Sequence, residues 1–451
     1  MKNIFKGLLA FGAMALVMTG CKSESNGPGI EKGEKSTVSL TIRNASDPVS
    51  RAATDEENAS PAESDVTIGT GLKVVVFNED GSLDYTSAAT NLTLTGTGPY
   101  TSAAFSIIAG VKYFFVFAND AAVGGKVTMP AVGSAITMDQ FMAQVISVAH
   151  TAGALDITAA NNFLLGSMWK VSKNAAGGGT TASPVNIQLE IGRLASKINV
   201  AEIQTANTTL AGAFSAGAYR IGSLPKKINT VGIHTGSSIP VGSGNTGVMV
   251  TSAVHNTSYP TAYPDANYER YSGDNFNPAG TALYTTENTT ALGGPLGQQF
   301  YGNTTFIQLE TVYTPASSEV YDPATLTAGA TLTDNNFWTG YLVSTGDMVI
   351  FNRLPTTGDD TDIDYDRGFG VYTGGKNYHK FPVYDKSETA GIVYSNRVLR
   401  NHYYEFKITN FISLGSPDKE VDPEEPIDAP TTVTVEVTVM KWNKVSDDVE
   451  V

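Results

Sequence analysis

Apolar and polar side chains alternate with period two along much of this chain, in short runs broken by Gly, Pro, Asn and Asp. That period is the mark of strands buried on one face. In residues 37–43 (TVSLTIR) Val38, Leu40 and Ile42 share a face. Further strands are expected at 71–77, 103–108 and 111–118, with turn chemistry at 78–81 that suits a β-sandwich. Residues 185–200 alternate through Val185, Ile187, Leu189 and Ile191, then present Arg193 and Lys197, and a strand near 228–233 closes a first domain. The best helix candidate in the first half is 138–149, with Phe141, Met142, Val145, Ile146 and Ala149 as the apolar set. Patterning fades over 234–303, a stretch of Gly, Thr, Ser, Asn, Tyr and Pro that marks long loops and a domain junction. It returns at 304–314, 339–343, 347–352 and 403–408, a second β domain.

The clearest alternation is at the C-terminal end. Val433, Val435, Val437 and Val439 fall on one face, and Thr432, Thr434, Glu436 and Thr438 on the other. Upstream, residues 417–430 hold four prolines and seven charges, which disfavours both a ladder and a core. The stretch reads as an extended tether of roughly 40 Å. The last strand can therefore reach a neighbouring molecule, or fold back as the final strand of its own domain.

Composition narrows the class. With 45 Gly, 20 Pro and short apolar runs, the chain is expected to be all-β. A formal charge of −15 without any basic stripe argues against a nucleic-acid partner. The N-terminal residues carry Lys2 and Lys6, an apolar run over 7–18, and Met18-Thr19-Gly20 before Cys21, the one cysteine in the sequence. That arrangement describes a secretory signal ending at a lipobox, with Cys21 as the lipidated residue. An intrachain disulfide is excluded, so burial and sheet hydrogen bonding must hold the fold. Residues 44–65 are polar and contain Arg51 followed by Ala52, an exposed place for proteolysis.

Candidate chemistry is sparse. Gly370, Gly375 and Lys376 have phosphate-loop spacing, but Asn377 replaces the magnesium-binding hydroxyl. Gly242, Gly244 and Gly247 form G-x-G-x-x-G, yet 248–250 reads as strand where a helix is needed. Asp360, Asp362 and Asp364 have calcium-loop spacing, with Tyr365 where Gly belongs and Val371 where the bidentate Glu belongs. The five histidines show no paired metal spacing. Neither an enzyme nor a cofactor site is expected.

Taken in order, Cys21, Val49-Ser50-Arg51-Ala52, the run 113–119, Arg193-Leu194-Ala195-Ser196-Lys197, Arg400-Asn401-His402-Tyr403-Tyr404 and the tail with Trp442 resemble the fimbrillins of type V pili. The likeness is to the minor-fimbrium-like branch of Bacteroidales shaft subunits. It implies two transthyretin-like β-sandwich domains, export as a lipoprotein to the outer membrane, and cutting by an arginine-specific protease between Arg51 and Ala52. It also implies polymerisation by donor-strand exchange with other copies and accessory fimbrial subunits. Val38, Leu40 and Ile42 would form the displaced strand, and Val433, Val435, Val437, Val439 and Trp442 the donor. The corresponding division is a signal peptide at 1–20, a propeptide at 21–51, sandwich domains at 52–233 and 234–416, and tether plus donor strand at 417–451. Removal of 1–51, with seven basic and four acidic residues, would take the formal charge from −15 to about −18. The other readings are a lipid-anchored glycan- or protein-binding module that keeps its last strand to itself, and a tip or anchor subunit.

Overall fold

The computed structural model describes residues 33–44, 68–96, 99–151, 154–159, 162–167, 171–215, 217–231, 233–234, 250–251, 267–288, 299–383, 396, 398–427 and 432–441. These residues are almost wholly β. The helix expected over 138–149 is cut to α1 (Met138–Met142), opened by a capping box between Thr137 and Gln140. The chain then extends into a strand, Val145–Ser147. One helical turn suffices to bury Phe141, which packs against Phe77, Phe115 and Phe117.

A first body is organised around β1 (Lys35–Asn44). Its partners are β2 (Gly71–Asn78), β3 (Leu92–Thr95), β4 (Tyr100–Ser102), β5 (Phe105–Ile108), β6 (Gly110–Ala118), β7 (Val145–Ser147), β8 (Leu165–Gly166) and β9 (Val185–Arg193). β7 apart, the ladder runs β6-β8-β9-β1-β4-β3-β2, and β2 pairs again with β6, so the sheet closes on itself. Closure leaves β1 as one stave of a ring, parallel to β9 on one side and antiparallel to β4 and β5 on the other. Its departure would create two unpaired edges at once.

The chain changes body sooner than the expected division at 233/234. Residues 185–200 do not form one strand. They split at Leu194 into β9 and β10 (Ala195–Ile203), and from Ile198 onward the apolar side chains enter a second core. That core takes in β11 (Ala218–Pro225), well before residue 233, while β12 (Lys227–Asn229) turns back to pair with β7 of the first body. The physical reason is that alternation specifies a buried face and not which core buries it.

The second body packs two sheets over one core. One is β13 (Leu283–Thr286), β10, β16 (His402–Phe411) and β17 (Val433–Lys441), in that order. The other centres on β14 (Phe306–Thr314) between β11 and β15 (Lys376–Pro382). A small sheet over residues 320–372 is inserted in the chain between β14 and β15 and sends Val320, Phe337, Ile350 and Tyr372 into the same core.

The expected tether is not free over 417–427. Its carbonyls accept where its prolines cannot donate: Gln308 Nε2 donates to Lys419 O (2.8 Å), Gly302 N–H to Pro423 O (3.0 Å) and Tyr301 N–H to Glu425 O (3.0 Å). Arg270 pairs with Glu420 at 2.6 Å and Lys380 with Glu425. Val421 and Ile427 are buried against Tyr301 and Phe306. The segment is a strap, held mainly by those two side chains, since part-exposed ion pairs contribute little. Val421→Asp is therefore expected to raise the rate of proteolysis within 417–427 by about tenfold while the two cores melt as before. Unchanged cleavage would mean that Val421 does not hold the strap.

Candidate functional site

The two strands singled out by the sequence lie at opposite ends of the described chain. In β1, Val38, Leu40 and Ile42 are fully buried in the first core. The other face of the strand is nearly as enclosed, with Ser39 and Thr41 at most 8 % exposed, and Ser36, which continues the face of Val38, is 1 % exposed. Hydroxyls bond polar groups of the strand and its neighbours. Gly179 N–H donates to Ser36 Oγ (3.2 Å), Leu40 N–H to Ser102 Oγ (3.0 Å), and Thr41 Oγ1 to Asn186 Oδ1 (2.8 Å). Thr37 N–H donates to Gly179 O at 3.0 Å. At the end of the strand Arg43 stands opposite Glu190, whose carboxyl desolvation holds above the usual carboxylate range despite the nearby charges of Lys173 and Arg43.

β17 is seated in its own chain, antiparallel to β16 with Val433 opposite Phe411, Val435 opposite Ile408, Val437 opposite Phe406 and Val439 opposite Tyr404. Val433 is 2 % exposed, whereas Val435 and Val437 are half-buried against the second core. The strand is thus anchored at its start and more loosely covered along its length. Ile412 N–H donates to Thr432 O (2.9 Å), and Thr432 Oγ1 lies 2.7 Å from His379 Nδ1. Burial pushes His379 down to about 3, so the ring is neutral. Cys21, Arg51, Ala52 and Trp442 lie outside the described residues.

Sequence reasoning missed the buried charge pair where the two bodies meet. Arg400 Nε donates to Glu287 Oε2 at 2.7 Å, its Nη2 to Glu287 Oε1, and Nη2 also to Asn229 O at 2.9 Å. Both side chains are at most 2 % exposed. No local pattern signals a partner so distant in sequence. The acidic loop is used internally: Asp360 Oδ1 accepts from Asp362 N–H, Asp362 from Ser344 N–H and Oγ–H, and Asp364 from Asp366 N–H. Gly370–Tyr372 and β15 flank the glycine turn, so strands stand where a phosphate loop needs a helix.

Two family models match the chain where these strands lie. The major fimbrial subunit protein (FimA) matches residues 36–193, from β1 through β9, and the C-terminal fimbrillin model of the major fimbrial subunit protein type IV matches 370–448, which includes β17. Together they take in more than half of the sequence. The chain belongs to the fimbrillins. Among solved structures, the fimbrilin FimA of Porphyromonas gingivalis W83 is 15 % identical, with 92 % of this chain and 99 % of that one covered and a TM-score of 0.44. The tip fimbrial protein Mfa3 of Porphyromonas gingivalis, with C-terminal truncation, is 12 % identical over 90 % of this fimbrillin and 100 % of its own length, with a TM-score of 0.37. A fimbrial assembly protein of Parabacteroides distasonis is 12 % identical over 62 % of this chain and 95 % of its own, with a TM-score of 0.27. None of the curated proteins matches in sequence.

Proposed function

We propose that this fimbrillin is a shaft subunit of a cell-surface fimbria, exported as a lipoprotein on Cys21, cut after Arg51 and polymerised by donor-strand exchange between transthyretin-like domains. The observation that carries the reading is β1. It is a complete stave of the first ring, yet the chain that ties it to β2 contains Arg51. Burial of Val38, Leu40 and Ile42 contributes on the order of 5–9 kcal/mol, so a cut alone does not expel the strand. The cut removes the tether. An intact tether keeps β1 at an effective concentration of about millimolar or above at its own groove, against which a neighbour's strand cannot compete. Once severed, β1 competes as a free peptide, and a strand held beside the groove by a neighbouring subunit has the advantage.

The second strand supports the same reading. β17 pairs along one side with β16 and lies at the edge of its sheet, so it can leave without breaking a ring. In the uncut subunit it closes its own second body, which protects the apolar edge until assembly.

Arg51→Ala is expected to leave an exported, lipidated monomer that does not polymerise. The measurement is ladder formation on unboiled gels after exposure to an arginine-specific protease. Ladders as strong as those of the unaltered chain would remove Arg51 from the mechanism.

A further inference from the structure

The incoming strand has a choice of register, and the groove left by β1 discriminates among the options. This inference rests on the donor-strand reading above and adds which residue takes which place. Because side chains alternate, only shifts of two residues keep the valines inward, so three registers compete.

We propose that β17 enters parallel to β9 with Val433, Val435 and Val437 in the places of Val38, Leu40 and Ile42. Thr432, Thr434 and Glu436 then take those of Thr37, Ser39 and Thr41. Residues 36–42 read STVSLTI and residues 431–437 read TTVTVEV, so hydroxyl side chains meet hydroxyl places and aliphatic side chains meet aliphatic ones. Thr432 N–H inherits the bond from Thr37 N–H to Gly179 O. By sequence, Thr431 brings a hydroxyl to the place where Ser36 Oγ accepts from Gly179 N–H. The one mismatch is Glu436 for Thr41. There the Asn186 amide, now 2.8 Å from Thr41 Oγ1, offers its NH2 to a carboxylate after a half-turn.

The neighbouring registers fail on specific groups. Moving the donor so that Val433 takes the place of Leu40 puts Glu436 where Arg43 stands, opposite the carboxylate of Glu190. Arg43 has by then left with the severed segment, so a favourable pair becomes a repulsive one. The same shift places Pro430 at Thr37, where no N–H remains for Gly179 O. Moving the other way puts Val433 at Ser36, a place 1 % exposed, and leaves Gly179 N–H without its acceptor.

The test fixes one acceptor and varies the donor. Gln188 lies on the exposed face of β9 opposite Thr41, and processing removes Cys21, so no native thiol interferes. Full chains carrying Gln188→Cys are processed and polymerised with chains carrying Thr434→Cys, Glu436→Cys or Thr438→Cys, then mildly oxidised. Paired positions stand about 4.8 Å apart and positions two residues off stand about 8 Å apart, so only the former can close a disulfide without backbone movement. The expected result is about tenfold more inter-subunit disulfide with Glu436→Cys than with either other donor. Glu436 is intact in the Thr434 and Thr438 variants, so their silence excludes slippage with the charge in place. Predominant linkage through Thr434→Cys or Thr438→Cys overturns the register and leaves strand exchange standing. Polymers that give no disulfide with any donor also overturn it, since the strand then sits elsewhere. Failure of the processed chain to polymerise at all sinks the donor-strand reading itself.

Discussion

Replacing Val435 and Val437 by Asp is expected to abolish polymerisation while the monomer stays folded. The contrast comes from how deeply the two side chains are covered in each setting. In the closed monomer both are half-buried at a sheet edge, so an aspartate there can turn to water or let the strand lift away. The loss is on the order of 1–2 kcal/mol per site. In the groove the same residues would take the places of Leu40 and Ile42, which are fully buried. Burying a carboxylate there without a partner costs several kcal/mol at each place, enough to remove a measurable polymer fraction. Ladders on unboiled gels and a calorimetric melt of the monomer make the comparison. Normal ladders would show that β17 is not the donated strand, and an unfolded monomer would show that β17 is an obligate part of its own body.

Glu287→Gln is expected to be the most damaging single change to the fold, destabilising the chain by about 3–5 kcal/mol because it leaves the Arg400 guanidinium charged, buried and without its carboxylate. Asn229 O, in the strand that returns to the first body, remains as an acceptor but cannot neutralise the charge. Replacing both partners by apolar residues, Glu287→Leu with Arg400→Met, is expected to recover most of that loss, since the double change removes the orphaned charge. Denaturant unfolding of the single and double variants measures both. A single variant as stable as the parent, or a double variant less stable than the single, would show that the pair is not what joins the bodies here.

What the sequence made legible follows the reach of its signals. Val38, Leu40 and Ile42 announced a one-sided strand through alternation alone, and their burial agrees. Alternation did not reveal that Ser39 and Thr41 on the opposite face are enclosed too, because hydroxyl-bearing residues serve equally at a surface and in a bonded interior. The passage between bodies at Leu194 was hidden inside what looked like a single strand. Val421 and Ile427 were outweighed by the prolines and charges around them, so a docked strap was read as a free tether. The partner of β17 was illegible for a more general reason. Period two tells which side of a strand is wet, and says nothing about whose sheet it joins.

The docked strap also bears on how a filament of such subunits would respond to force. With 417–427 held on the second body, only residues 428–432 separate Ile427 from the start of β17, a contour of about 17 Å. A donated strand would leave from a fixed anchor on so short a leash that consecutive subunits abut instead of swinging like beads on a string. Tension entering through the strand would load the hydrogen bonds from Gln308, Tyr301 and Gly302 to the strap along its length, in shear, so that several must give together. Bending stiffness and tensile strength would then both depend on two small hydrophobic side chains, Val421 and Ile427, that touch neither the groove nor the strand that fills it.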